Sequence, residues 1–199
     1  MTVTVYLVRH AAHDDVGAYL AGRTPGIRLG AAGREQAERL GRRLARERFS
    51  AILASPRERT QETAAAIADA TGIGPVETVD ALDEVDFGPW AGRRFDELDA
   101  DPAWRRWNAM RSLARAPGGE TMLEVQGRMI GVLEAIQDRF AEDRVLLVSH
   151  SDPIKTLVMH VLGLPLDAWP RFEISPASMT VAVIGEWGGK IVTLNEVTP

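Results

Sequence analysis

Cysteine is absent from the 199 residues. That excludes disulfides, thiolate nucleophiles and cysteine-ligated metal sites. No apolar run approaches the roughly 18 residues needed to cross a membrane. The first residues lack the basic region and long apolar segment of a secretory signal. A cytoplasmic protein is the expectation. Excess positive charge is missing too: the net charge is −5, so the basic footprint of a nucleic-acid binder is not there. Lysine is scarce, and the cations are nearly all arginines, crowded between Arg23 and Arg59. The simplest account of that crowd is a solvated helix face. Internal repeats and low-complexity linkers are also missing.

Apolar residues, by contrast, make up 45% of the chain, enough for a sizeable core. The length suits one α/β domain spanning residues 1–199. Val3–Val8 is a β-branched apolar run of the kind found in central parallel strands. Ala51–Ala54, Val76–Val79 and Val145–Val148 read as further strands. Met179–Ile184 and Ile191–Leu194 flank Trp187-Gly188-Gly189 and read as a hairpin. Helical spacing links Ala37, Leu40, Gly41, Leu44 and Ala45. It also links Met122, Val125, Met129, Val132, Leu133, Ile136 and Phe140, and again Ile154, Leu157, Val158, Val161 and Leu162. Two capping-box patterns mark helix starts, Ser55-Pro56-Arg57-Glu58 and Thr121-Met122-Leu123-Glu124. Residues 82–118 form an irregular excursion that carries acids and tryptophans and covers one edge of the sheet. The alternation of strand and helix predicts a mainly parallel sheet with helices on both faces, a three-layer α/β sandwich.

Three strands end in chemistry. The first runs into Arg9-His10, the second into Ser55 and then Arg59, the fourth into His150-Ser151. Parallel strands bring their C-terminal ends to one edge, where open α/β sheets bind ligands. Two arginines, two histidines and two helix starts would converge there. Forked donors and exposed N–H groups describe an anion site, and phosphate fits best. An imidazole among arginines stays neutral, because neighbouring cations disfavour imidazolium. It can then attack phosphorus while the arginines hold the equatorial oxygens. A leaving alkoxide still needs a proton, and Asp83, Glu84 and Asp86 are the candidate acids.

These residues resemble the histidine phosphatase superfamily, in its phosphoglycerate-mutase-like branch. The likeness covers nearly the whole chain through five segments in order. They are Leu7-Val8-Arg9-His10, Ser55-Pro56-Arg57-Glu58-Arg59, Glu84 through Gly88, Trp90 and Gly92, Pro117-Gly118-Gly119-Glu120-Thr121, and Val148-Ser149-His150. The resemblance implies a phosphoglycerate-mutase-like fold and a phosphomonoesterase that needs no metal and no cofactor. His10 would become phosphohistidine. Arg9, Arg59 and His150 would hold the phosphoryl oxygens, and Glu84 would serve as acid and then as base.

The pattern also breaks. Ala11 stands where the family usually carries glycine, Ala12 where it carries Glu or Gln, His13 where it carries Thr or Ser, and Val16 where it carries Asn. His13 and Arg23 are expected to supply the missing substrate contacts, with Ser151 beside His150. Asp152 adds negative charge near the site unless an arginine pairs with it. Arg57 reads as a surface residue, His160 as solvent-exposed, and Trp90 as packing that could also wall the pocket. The expected partner is a small phosphorylated substrate. A homodimer is left open, since dimers are common among soluble proteins. The alternatives are a phosphoglycerate-type mutase, a phosphohistidine-protein phosphatase and a non-catalytic phosphate-binding module. A metal cage built on His10, His13 and His150 is a further alternative, disfavoured by Arg9 and Arg59.

Overall fold

In the computed structural model, which describes residues 1–199, Thr2–Arg9 forms β1. Its alternate residues feed two separate cores, as the two-residue period of a strand dictates. Val3, Val5 and Leu7 face one core, and Tyr6 and Val8 face the other. β4, Arg144–Ser149, repeats the pattern, with Val145 and Leu147 on the first side and Leu146 and Val148 on the second. The full sheet has six strands in the order β3-β2-β4-β1-β5-β6. β2 is Ala51–Ala54, and β3 is only Glu77–Thr78, shorter than the expected 76–79. β1 to β4 are mutually parallel. β5, Ser178–Gly185, runs antiparallel to β1, and β6, Gly188–Val197, closes the expected hairpin.

Helices cover both faces. α1 (Ala31–Leu44) and α2 (Glu58–Thr71) pack over Tyr6, Val8 and Ile52 through Leu40, Leu44 and Ile67. The short α3 (Phe95–Asp99) and α4 (Pro102–Ala109) belong to the 82–118 excursion. They join α5 (Met122–Arg139) and α6 (Ser151–Leu162) around the other core. The excursion carries Leu82, Val85, Phe87, Trp90, Trp104 and Trp107 into that core. Trp90 is packing: its ring meets Trp104 edge-on at 5.3 Å, and its indole N–H donates to Asp101 at 3.1 Å.

Glycines in the left-handed conformation, Gly72 and Gly163, stop α2 and α6. Around α6 the burial is wider than its apolar spacing predicts. Asp152, Lys155 and Thr156 are buried, and Leu162 is exposed. Residues 166–171 lie over the outer side of the helix, so Lys155 sits against Trp169 at 4.3 Å. His160 is exposed, as its position off the apolar face predicts. No helix is long and apolar enough to cross a membrane.

Register decides what meets at the sheet edge. Arg9 lies level with Ser149, and Ala54 with Val148. His10 N–H donates to the Ser149 carbonyl, and Ser55 N–H to the Val148 carbonyl, both at 3.0 Å. The three strand exits are therefore neighbours.

Candidate active site

His10 follows β1 and is almost fully buried. Its Nδ1 stands 2.8 Å from the Ala11 carbonyl oxygen. A carbonyl only accepts, so Nδ1 carries the proton and Nε2 keeps its lone pair. Arg59 Nε donates to that Nε2 at 3.3 Å. Burial, then the charges of Arg59 and Arg9, hold the His10 pKa well below the ordinary histidine value. The ring is neutral and aims a lone pair at a guanidinium.

Arg59 lies in the first turn of α2 and is 1% exposed. Its Nη2 donates to the Gly22 carbonyl at 2.7 Å and to His150 Nδ1 at 3.1 Å. Its Nη1 is buried without a partner. His150, at the cap of α6, is fully buried, with its ring centroid 5.2 Å from that of His10. Since Nδ1 accepts from Arg59, Nε2 is the protonated nitrogen and donates to Ser55 Oγ at 2.8 Å. Ser55 Oγ donates onward to Asp83 Oδ1 at 3.3 Å. The hydrogen bonds thus run one way, from Arg59 to Asp83. His150 is likewise held neutral by burial and by Arg59. Arg9 anchors one nitrogen on the Ile174 carbonyl at 2.6 Å and leaves a buried Nε unpartnered. Two arginines therefore present free donors beside His10.

Three carboxylates compete as acid, and geometry separates them. Asp83 is committed to Arg57 at 3.0 Å, to Ser55, and to the Glu84 N–H at 2.8 Å. Asp86 is 43% exposed and caps the Gly88 N–H at 2.9 Å. The Glu84 carboxyl is buried, accepts from the Val85 N–H at 2.9 Å, and places Oε2 3.8 Å from His150 Nδ1. Burial foremost, then the charge of Asp152, pushes its pKa up to about 7. At neutral pH the carboxyl is therefore poised between its acid and carboxylate forms beside the imidazoles.

The other expected residues divide. His13 stacks near His10, ring centroids 6.2 Å apart, and its buried Nδ1 has no partner. Ser151 opens α6 directly after His150. Arg23 is engaged with the acid segment: it donates to the Glu84 carbonyl at 2.8 Å and to Glu120 at 2.9 Å. Arg57, expected at the surface, is instead half-buried, because its guanidinium closes on Asp83 and on the Arg23 carbonyl at 2.9 Å. Asp152 does have an arginine partner. Arg111 reaches it at 3.1 Å, packed 4.0 Å from the Trp169 ring, whose N–H also donates to Asp152. Nothing local in the sequence marks Arg111, which lies 41 positions from its partner. No group of three or more histidine, aspartate or glutamate side chains is placed to share a metal ion.

A family model for the histidine phosphatase superfamily (branch 1) matches residues 5–197. The chain belongs to the histidine phosphatase superfamily. This histidine phosphatase is 32% identical over 197 residues to phosphoserine phosphatase 1 of Hydrogenobacter thermophilus, covering 97% of its own length and 92% of the relative's. It is 34% identical over 180 residues to a probable phosphoglycerate mutase, GpmB, of Klebsiella pneumoniae, covering 88% and 82%. Among solved structures it matches Bacillus stearothermophilus YhfR with a TM-score of 0.91 at 29% identity, over 98% of each chain. A mycobacterial glucosyl-3-phosphoglycerate phosphatase complexed with VO3 gives 0.86 at 26% identity, over 96% and 98%. The chain is an enzyme, a phosphoric monoester hydrolase of the histidine phosphatase kind.

Proposed function

We propose a cytoplasmic, metal-independent phosphomonoesterase that acts on a small phosphorylated metabolite through phosphohistidine. The observation that carries this reading is the His10 Nε2 lone pair, fixed by the Ala11 carbonyl and facing Arg59, with Glu84, its pKa raised to about 7, in the same site. His10 Nε2 attacks phosphorus in line with the ester oxygen. The N–P bond forms and the P–O ester bond breaks. Glu84 gives its proton to the departing alkoxide. Arg9 and Arg59 hold the remaining oxygens through their unpartnered donors, and His150 joins them when bound phosphate replaces the Arg59 contact and Nδ1 carries the proton, with Ser151 and His13 at the rim. Their fixed donors supply the electrostatic stabilisation that phosphoryl transfer needs. Water then attacks phosphorus, the Glu84 carboxylate takes its proton, and the N–P bond breaks to release phosphate. The network behind the site gives Arg23 a different part from the direct substrate contact expected of it.

The test is hydrolysis of p-nitrophenyl phosphate in excess EDTA, with wild type beside His10→Ala. Turnover should survive chelation and fall by at least about 10³-fold in the variant. Activity lost on chelation would sink the metal-free reading. Likeness to a probable mutase supports a second reading, return of the phosphoryl group to the substrate. Isomerised phosphoglycerate without free phosphate would establish it.

A further inference from the structure

Glu120 precedes α5, and its side chain hydrogen-bonds none of Arg9, His10, Arg59 or His150. Its carboxylate nevertheless gathers the segment that carries Glu84. Oε2 accepts from Arg23 Nη2 at 2.9 Å, from Arg128 Nη2 at 3.2 Å and from the Asp86 N–H at 2.9 Å. Oε1 accepts from Arg128 Nε at 3.0 Å. The same two guanidiniums close on one atom of the acid segment. Arg23 Nε donates to the Glu84 carbonyl at 2.8 Å, and Arg128 Nη2 to the same oxygen at 3.1 Å. Arg128 also holds the Ala81 carbonyl at 2.7 Å.

Backbone contact tightens the clamp. Glu120 N–H donates to the Asp86 carbonyl at 2.9 Å. A Cβ at Gly119 would fall on that same carbonyl oxygen, and a Cβ at Gly88 would fall on the Pro117 carbonyl oxygen. Residues 86–88 and 117–120 therefore approach main chain to main chain, which only glycine at both places permits. One carboxylate fixes two arginines, and two arginines fix the main chain of the acid.

We infer that Glu120 is a positioning residue for proton donation: through Arg23 and Arg128 it holds Glu84 where the leaving oxygen departs. The inference rests on Glu84 being the acid of the proposed reaction. It distinguishes Glu120 from a mere helix-start residue, since the capping is done by Thr121 and Glu124.

Leaving-group dependence tests it. A nitrophenolate departs with little help, whereas an alkoxide needs the proton. Single-turnover substrate loss, with enzyme in excess, isolates the first step. Glu120→Gln should slow that step on glycerol 2-phosphate by about 30-fold or more and on p-nitrophenyl phosphate by less than about 3-fold. Arg23→Gln should show the same preference, and the double variant should be no worse than the poorer single one. The Arg23 variant carries the test alone if Glu120→Gln does not fold. Glu84→Gln is the reference. If it discriminates between the two esters and the Glu120 and Arg23 variants slow both esters equally, the positioning role is overturned and the acid stands. If Glu84→Gln itself shows no discrimination, the acid assignment fails and the inference falls with it.

Discussion

Two helix starts carry the same written signal, and the protein uses them differently. At Thr121-Met122-Leu123-Glu124 the box closes. The Thr121 hydroxyl accepts from the Glu124 N–H at 3.1 Å, and Glu124 accepts from the Thr121 N–H at 2.8 Å. At Ser55-Pro56-Arg57-Glu58 it does not. Helix α2 begins at Glu58 with Arg57 as its cap residue and no side-chain cap. The Ser55 hydroxyl is taken by His150 and Asp83, and Glu58 instead accepts from the Gly26 N–H at 2.8 Å. Ser55 sits at the sheet edge where three strands end, and Thr121 does not. A local pattern holds where nothing competes for the hydroxyl. It gives way where a buried imidazole needs a partner, because an unpaired buried ring nitrogen costs more than a lost cap. The carboxylates of the two regions differ in the same sense. Arg115 and the Thr121 N–H pull exposed Glu124 down to about 2, while burial lifts Glu84 to about 7.

The contrast can be broken at its acid first. Glu84 must be protonated to donate, so kcat/KM on an alkyl phosphate should be level below pH 7. Above about 7 it should fall roughly tenfold per unit as the proton is lost. Glu84→Gln should cost about 10² to 10⁴-fold at pH 6 and erase that limb. A limb that survives in the variant would assign it to another group. A smaller effect belongs to the hydroxyl. Ser55→Ala should lower kcat by about tenfold, since His150 loses its fixed orientation, and the helix itself loses no cap. A melting point shifted more than the rate would show that Ser55 serves the fold instead. The smallest effect on rate lies at the other start. Thr121→Ala should lower the melting temperature by about 2–4 °C and leave kcat within about twofold.

Much of this was legible because it depends on short-range periodicity. The apolar runs of β1 and β4 and the spacing of α1 and α5 depend on neighbours, and both elements form where that spacing puts them. The convergence of Arg9, His10, Arg59 and His150 follows from parallel strands alone, and they do converge. What was hidden depends on partners far along the chain. Arg57 reads as surface because Asp83, its counter-ion, lies in another segment. Arg23 reads as a substrate ligand because its loop faces the site, yet the Glu84 carbonyl and Glu120 claim its donors. Arg111 has no local signature at all; only the uncompensated charge of Asp152 hinted that some arginine was needed. Choosing Glu84 over Asp83 and Asp86 took family likeness in the sequence, and the prior commitments of the other two in the structure support the same choice.

β1 has a consequence for the order in which the enzyme comes into being. Its two neighbours are β4, pairing Thr4 with Arg144, and β5, pairing Val5 with Ala182. The strand that delivers His10 is made long before either of the strands that flank it. Until β4 is made it has no partner on either edge, and an apolar strand with both edges open invites pairing with other chains. Such distant pairing also slows folding, because long loops must close before any contact rewards them. Catalytic competence therefore arrives late and all at once, when β4 slots between β1 and β2 and carries His150 to His10.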